Sequence, residues 1–198
     1  MVMNIISVIV SYFICAVNPA IIICKLVKGK DIRKYGSKNA GTTNAIRVMG
    51  KFWGSLTFIL DILKSVVAYG IILLLSNILK LEIDVSVKSL YLISSVMGHC
   101  YPVYYGFKGG KGVATTIATM MIINSEITTV VLIASSIIIL LTRTISIGSI
   151  SGMILLLIMT FVMLPEYIIS VFIISSIIIF KHKDNIKRLL ENKEIKIF

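Results

Sequence analysis

Long, nearly uncharged apolar blocks constrain this chain more than any other feature. They fall at 3–24, 52–79, 89–105, 113–124, 128–142, 150–164 and 167–180 of its 198 residues. A bilayer crossing takes about 20 apolar residues, and the first three blocks reach the working range. The blocks are rich in Ile and Val, which in water would suggest strands. In lipid each backbone amide must be paired within its own segment, so the same blocks read as helices. With 57% hydrophobic residues, only 15% charged and a mean hydropathy of +0.98, a water-soluble globule is excluded. The expected fold is all-α: one membrane-embedded domain over 1–198, a polytopic bundle of seven transmembrane helices. Five spans is the alternative, because the last four blocks are short. They pair around polar points at Asn124 to Glu126 and at Pro165-Glu166.

Charge fixes the orientation. The first Lys or Arg is Lys25, so the charged region that precedes the apolar stretch of a cleavable signal peptide is missing. With seven spans and the N-terminus outside, the inner segments are 25–51, 106–112, the link at Arg143 and 181–198. These hold nearly all the basic residues, and the outer links hold only Lys80 and Lys88 beside Glu82, Asp84, Glu126 and Glu166. That is the positive-inside distribution, with a cytoplasmic C-terminus. The net charge of +11 therefore sits in loops between spans and not on a folded basic surface, which argues against nucleic acid. Cys15, Cys24 and Cys100 offer neither a disulfide framework nor metal-ligand spacing.

Every polar loop of interest falls on the inner face. The first runs Gly36-Ser-Lys-Asn-Ala-Gly-Thr-Thr-Asn-Ala-Ile-Arg47. Ser37, Asn39, Gly41, Thr43 and Asn44 crowd neutral hydrogen-bonding groups and flexible backbone near Arg47, whose planar fork suits phosphate or carboxylate. The second runs from Gly98-His99 through Lys108-Gly-Gly-Lys111-Gly112 to Thr115. Gly109, Gly110 and Gly112 allow backbone amides to converge on one anion, and Lys108 and Lys111 supply charge. A helix starting just afterwards adds its N-terminal dipole. This is not a nucleotide-hydrolase P-loop: Tyr105 stands where that pattern needs glycine, and Gly112 where it needs Ser or Thr.

Weaker signals complete the set. Arg143 precedes two hydroxyls, Ser146 and Ser149, and His182, Asn185 and Arg188 share one face at helical spacing. Asp61 and Lys64, at i and i+3 within the second block, are placed to pair on one helix face. His99 lies at the inner end of the third block, where an intramembrane ionisable group is by default a functional candidate. The blander reading of the loops is topology-fixing charge on turn-rich polar segments. For the tail it is a basic amphipathic surface on anionic lipid.

Taken together, these segments resemble the glycerol-3-phosphate acyltransferase family of bacterial membranes called PlsY. The first motif is met by Gly36, Ser37, Asn39, Gly41, Thr43, Asn44 and Arg47. The second is met from Gly98 to Thr115 and the third from His182 to Leu189. Lys38, Ala40, Ser65 and Asn192 depart from the family pattern without removing a polar group of the motifs. The resemblance implies acyl transfer from acyl phosphate, not acyl-CoA, to the 1-hydroxyl of sn-glycerol 3-phosphate. The products would be 1-acylglycerol 3-phosphate and phosphate, in the first acylation of phospholipid synthesis at the bacterial cytoplasmic membrane. It implies that Ser37, Arg47, Lys108, His182 and Asn185 hold glycerol 3-phosphate. The Gly109–Gly112 turn, Asn39, Thr43, Ser146 and Ser149 would hold acyl phosphate. Gly41, Asn44, Thr115 and Arg188 complete the binding set, and Lys108, Lys111, His99 and His182 are the catalytic candidates. Proton transfer has two routes, through a histidine or through the departing phosphate. No cofactor or metal is implied. The partners are the two substrates, the lipid bilayer and, as a candidate, the soluble enzyme that makes acyl phosphate.

The histidine-x4-aspartate motif of acyl-CoA-dependent acyltransferases is absent, since Tyr104 follows His99 at that distance and Lys187 follows His182. A carrier for phosphorylated metabolites is the competing class. A carrier is expected to place its site at the midplane between internal repeats, and no repeat is apparent here.

Overall fold

The computed structural model describes residues 1–196, and among them every regular element is helical. The chain divides into two compact units, Met1–Thr119 and the residues from Met120 onward. In the first unit, α1 (Val2–Ala16) and α2 (Pro19–Lys28) follow each other with a two-residue break. Pro19 causes the break, and Asn18 caps the restart by accepting from the Ile21 amide at 3.1 Å. After α3 (Thr42–Met49) come α4 (Lys51–Leu79) and α5 (Val85–Cys100). α1 packs on α5 and α4, while α3 packs on α4. α6 (Val113–Ile123) begins in the first unit and ends in the second.

The second unit continues with α7 (Ser125–Thr142), α8 (Ile145–Met163), α9 (Ile168–Lys181) and α10 (Lys183–Leu190). α7 packs on α8, α8 on α9, and α9 on α10. Gly148 and Gly152 set the α7–α8 approach. A Cβ at Gly148 would run into Ile139 and the Ser135 carbonyl, and one at Gly152 into the Ser135 hydroxyl. This small-residue spacing is how helices close on each other where lipid supplies no hydrophobic drive.

The bundle is inverted relative to a soluble one. The buried face of α4 carries Gly54, Thr57, Asp61, Lys64, Ser65 and Ala68, while Ile59, Leu63, Leu74 and Ile78 point outward. Large aliphatics facing out and small or polar groups facing in are what a lipid solvent selects. Among the described residues, four helical stretches are long and apolar enough to cross a membrane: Val2–Lys28, Lys51–Leu79, Ser125–Thr142 and Ile145–Met163. A fifth is reached if α9, its preceding 3-10 turn and α10 are counted as one span, bent by 54°.

Each of the seven apolar blocks contains helix, but several boundaries differ: the first block is broken before Pro19, and α8 starts at Ile145, which places Ser146 and Ser149 on a helix and not in the link at Arg143. The third block was drawn to residue 105, whereas α5 stops at Cys100. Pro102 forces this, because a proline pushes the residue before it away from helical angles, and Tyr101 has φ −132° and ψ 61°. The polar segment 25–51, read as loop, contains α3, which places Thr43, Asn44 and Arg47 on a helix.

Candidate functional site

In the first unit the two glycine-rich segments are built against each other by polar groups from the helix ends. The Asn18 side chain takes the Ile21 amide, the helical donor to the Val17 carbonyl, and Lys64 Nζ donates to that carbonyl at 3.0 Å. The same ammonium lies 2.8 Å from Asp61 Oδ1 and 2.9 Å from His99 Nδ1. Asp61, Lys64 and His99 are all buried, so the i, i+3 pair expected from sequence is present and His99 has joined it. His99 in turn supports the glycine turn. Its carbonyl accepts from the Gly110 amide at 3.1 Å, and the Cys100 carbonyl accepts from Gly109 at 3.3 Å. Gly110 has no room for a side chain, because a Cβ there would strike the His99 ring and the Ala40 carbonyl. The Ala40 carbonyl accepts from Asn18 Nδ2 at 3.1 Å, which ties the first loop to the α1–α2 break.

Two further residues hold these loops. Arg33 donates from Nη1 to the Tyr105 carbonyl at 2.7 Å and the Lys108 carbonyl at 3.3 Å, while paired with Asp31 at 2.8 Å. The hydrogen bond from Arg33 holds the Asp31 carboxyl below its ordinary range. Asn44 turns its amide inward. Its Oδ1 accepts from Ser37 N at 2.8 Å, and its Nδ2 reaches the carbonyls of Ile32, Tyr35 and Asn39 at 3.0–3.3 Å. Gly36 sits at φ +58°, where a Cβ would also meet the Asn44 amide.

The remaining expected residues of this unit are less committed. Arg47 and Lys108 are exposed, and Ser37, Asn39 and Thr43 are half-buried. Lys111 is half-buried and Gly112, at φ +90°, leads into α6. Thr115 in the first turn of α6 is fully buried, yet its hydroxyl has no hydrogen-bond partner among the described residues. A buried hydroxyl left this way three residues beyond a glycine turn is the kind of group a bound oxyanion satisfies. Gly41, also buried, caps α3 through its backbone carbonyl, which accepts from Ala45 at 3.0 Å.

The second unit contains a separate polar cluster centred on a carboxylate. Glu194 accepts from Ser146 Oγ at 3.0 Å, Asn185 Nδ2 at 2.5 Å and Arg188 Nε at 2.6 Å. Burial pushes its carboxyl up, but these three donors more than offset it and hold the pKa below the ordinary value. His182 lies at the α9–α10 bend, with Nδ1 2.8 Å from the Ile178 carbonyl. A carbonyl only accepts, so the ring proton is on Nδ1. Ser149, one turn after Ser146, is buried.

A family profile described as "Glycerol-3-phosphate acyltransferase" matches residues 5–192. The chain belongs to the glycerol-3-phosphate acyltransferase family. Relatives carrying that name include one from Finegoldia magna, 40% identical over 193 residues that cover 96% of this chain and 93% of the relative. Another, from Clostridioides difficile, is 35% identical over 194 residues, covering 98% and 95%. Among solved structures the chain is similar to the glycerol 3-phosphate form of PlsY, an integral membrane acyltransferase. The TM-score is 0.87 at 33% identity, covering 98% of this chain and 96% of that one. The lysophosphatidic acid form of PlsY matches with TM-score 0.82 at 31% identity, covering 98% and 95%. This chain is therefore a PlsY-family acyltransferase of the membrane, with several apolar helices.

Sequence reasoning passed over Asn18, Arg33 and Glu194 as organisers. Asn18-Pro19 is a legible helix start. Nothing in the sequence announces that Arg33 reaches residues 105 and 108, or that Glu194 folds back onto Ser146.

Proposed function

We propose that the protein transfers an acyl group from acyl phosphate to the 1-hydroxyl of sn-glycerol 3-phosphate. The products are 1-acylglycerol 3-phosphate and inorganic phosphate. The observation that carries this reading is the glycine turn at Gly109–Gly110, braced by a buried ionic group in a chain of this family. In the first unit we assign Ser37, Arg47 and Lys108 to glycerol 3-phosphate, and Asn39, Thr43 and the Gly109–Gly112 turn to acyl phosphate. Lys111 and the turn amides stabilise charge developing on the transferred carbonyl and the departing phosphate. Gly41, Asn44 and Thr115 shape the surroundings of that turn. In the second unit the resemblance assigns His182 and Asn185 to the acceptor substrate, Ser146 and Ser149 to the donor, and Arg188 to the binding set without a choice between them.

The acceptor oxygen attacks the acyl carbon as its proton leaves, and the acyl–phosphate bond breaks to release phosphate. The proton goes to the departing phosphate or to a histidine. The whole chain acts as one acyltransferase domain in the bacterial cytoplasmic membrane. It has seven crossings, the N-terminus outside, the C-terminus inside and the reacting groups facing the cytoplasm. The near-absence of Lys and Arg from the outer links supports this orientation. The soluble enzyme that makes acyl phosphate is a candidate partner at that face.

Purified protein in detergent, given acyl phosphate and glycerol 3-phosphate, should release phosphate only when both are present. Release independent of glycerol 3-phosphate, or none, contradicts acyl transfer. The carrier reading instead requires uptake of a phosphorylated metabolite into vesicles without chemical change.

A further inference from the structure

We infer that Lys64, with Asp61, is a positioning pair that locks His99 in one tautomer and thereby sets the shape of the glycine turn. An ammonium has three N–H donors and no acceptor. Lys64 Nζ is hydrogen-bonded to the Val17 carbonyl at 3.0 Å and to His99 Nδ1 at 2.9 Å, and it forms a close ion pair with Asp61 Oδ1 at 2.8 Å without a hydrogen bond to it. A ring nitrogen in contact with a group that can only donate must present its lone pair. The His99 proton is therefore on Nε2, on the ring edge that meets Gly110. Asp61 Oδ1 lies 3.3 Å from the same Nδ1, and the ammonium bridges the two acceptors. Asp61 supplies the opposite charge that a buried ammonium needs beside it.

Two consequences follow for His99. Its basic nitrogen is consumed by Lys64, so it does not act as general base and acts through the turn. Its ring is fixed in rotation, because a flip would exchange Nδ1 for Cδ2–H and leave the Lys64 ammonium facing a carbon that cannot accept. The ring and its own carbonyl then grip Gly110 from two sides, the carbonyl by accepting the Gly110 amide. The Val17 carbonyl, whose helical donor Ile21 N–H is taken by the Asn18 side chain, anchors the ammonium to the helix break whose cap, Asn18, also holds Ala40. One buried cation thus registers the first loop against the second.

The inference rests on the acyl-transfer reading only for its effect on turnover; the tautomer stands apart from it. The chain has two histidines, and the geometry gives them opposite tautomers, proton on Nε2 in His99 and on Nδ1 in His182. Nitrogen-15 spectra of histidine-labelled protein, with His182→Gln for assignment, should show a protonated Nε2 and an unprotonated Nδ1 at His99. A proton on Nδ1 of His99, in the other tautomer or the cation, overturns the inference. The paired variant Asp61→Leu with Lys64→Met removes both charges and leaves neither partner orphaned. Loss of a group that sets reacting geometry costs about 100-fold, and this should appear in kcat/KM for acyl phosphate while KM for glycerol 3-phosphate stays within about twofold. The conservative Lys64→Arg should recover part of it. Unchanged kinetics, or equal loss toward both substrates, counts against a positioning role. Wild-type protein that releases no phosphate would sink the acyl-transfer reading and leave the tautomer result intact.

Discussion

The two units use buried charge in opposite ways. In the first, an interior cation is surrounded by acceptors: Lys64 sits among a carbonyl, a carboxylate and an imidazole. In the second, an anion is surrounded by donors, with Glu194 among a hydroxyl, an amide and a guanidinium. The first arrangement turns its charge inward onto one backbone carbonyl and two side chains, while Arg47 and Lys108 are exposed. The second gathers Ser146, Asn185 and Arg188 as donors around the chain's own carboxylate, Glu194. A cation among acceptors and an anion among donors are therefore two chemical styles within one chain.

The largest effect should come from groups outside both scaffolds. Arg47→Ala or Lys111→Ala should lower kcat by about 100-fold or more, the usual consequence of deleting a charge-stabilising donor. Thermal unfolding should stay close to wild type. Near-normal turnover would mean that these cations only fix topology. Gly110→Ala should be nearly as damaging, because the added Cβ meets the His99 ring and the Ala40 carbonyl. Overpacking of this kind costs about 1–3 kcal/mol, so both the melting temperature and kcat/KM should fall. An unaltered Gly110→Ala enzyme would show that the turn is not gripped.

The second unit should answer differently. Glu194→Gln keeps the shape but weakens charge-assisted bonds, and should cost about 1–2 kcal/mol, read as a lower melting temperature. Because the folded-state pKa of Glu194 is depressed, its contribution is full above the unfolded carboxylate value of about 4.3. It disappears as pH falls through the lower folded value. The variant should lack that acid-side loss of stability. If the two proteins lose stability in parallel on acidification, Glu194 is not the anchor described. The smallest effect belongs to Asp31→Asn, where the paired side chains are each roughly a quarter to a third exposed. Such a pair contributes at most about 1 kcal/mol, and Arg33 retains its two carbonyl contacts.

Much of this was readable from sequence because membrane solvent leaves few options. Apolar blocks become helices, although the blocks drawn at 3–24 and 89–105 run through Pro19 and Pro102, where the structure breaks or ends the helix. Polar glycine-rich loops are common, so the motif residues stood out through the order of three motifs and the family resemblance they carry. What sequence did not give was the assignment of polar groups to scaffold or to ligand. Asn44 looks like a ligand in the motif, yet its amide is spent on four backbone groups. Asp61 and Lys64 were visible as a pair, but their third member, His99, lies 35 residues away in sequence. Such partners depend on packing between helices, which local spacing does not encode.

The central claim is that the braced glycine turn serves transfer from a phosphorylated donor. The most direct test is phosphate release by purified protein with glycerol 3-phosphate, given acyl phosphate in one arm and acyl-CoA in the other. The account predicts stoichiometric phosphate and 1-acylglycerol 3-phosphate from acyl phosphate and no transfer from acyl-CoA. Transfer from acyl-CoA with none from acyl phosphate would contradict it.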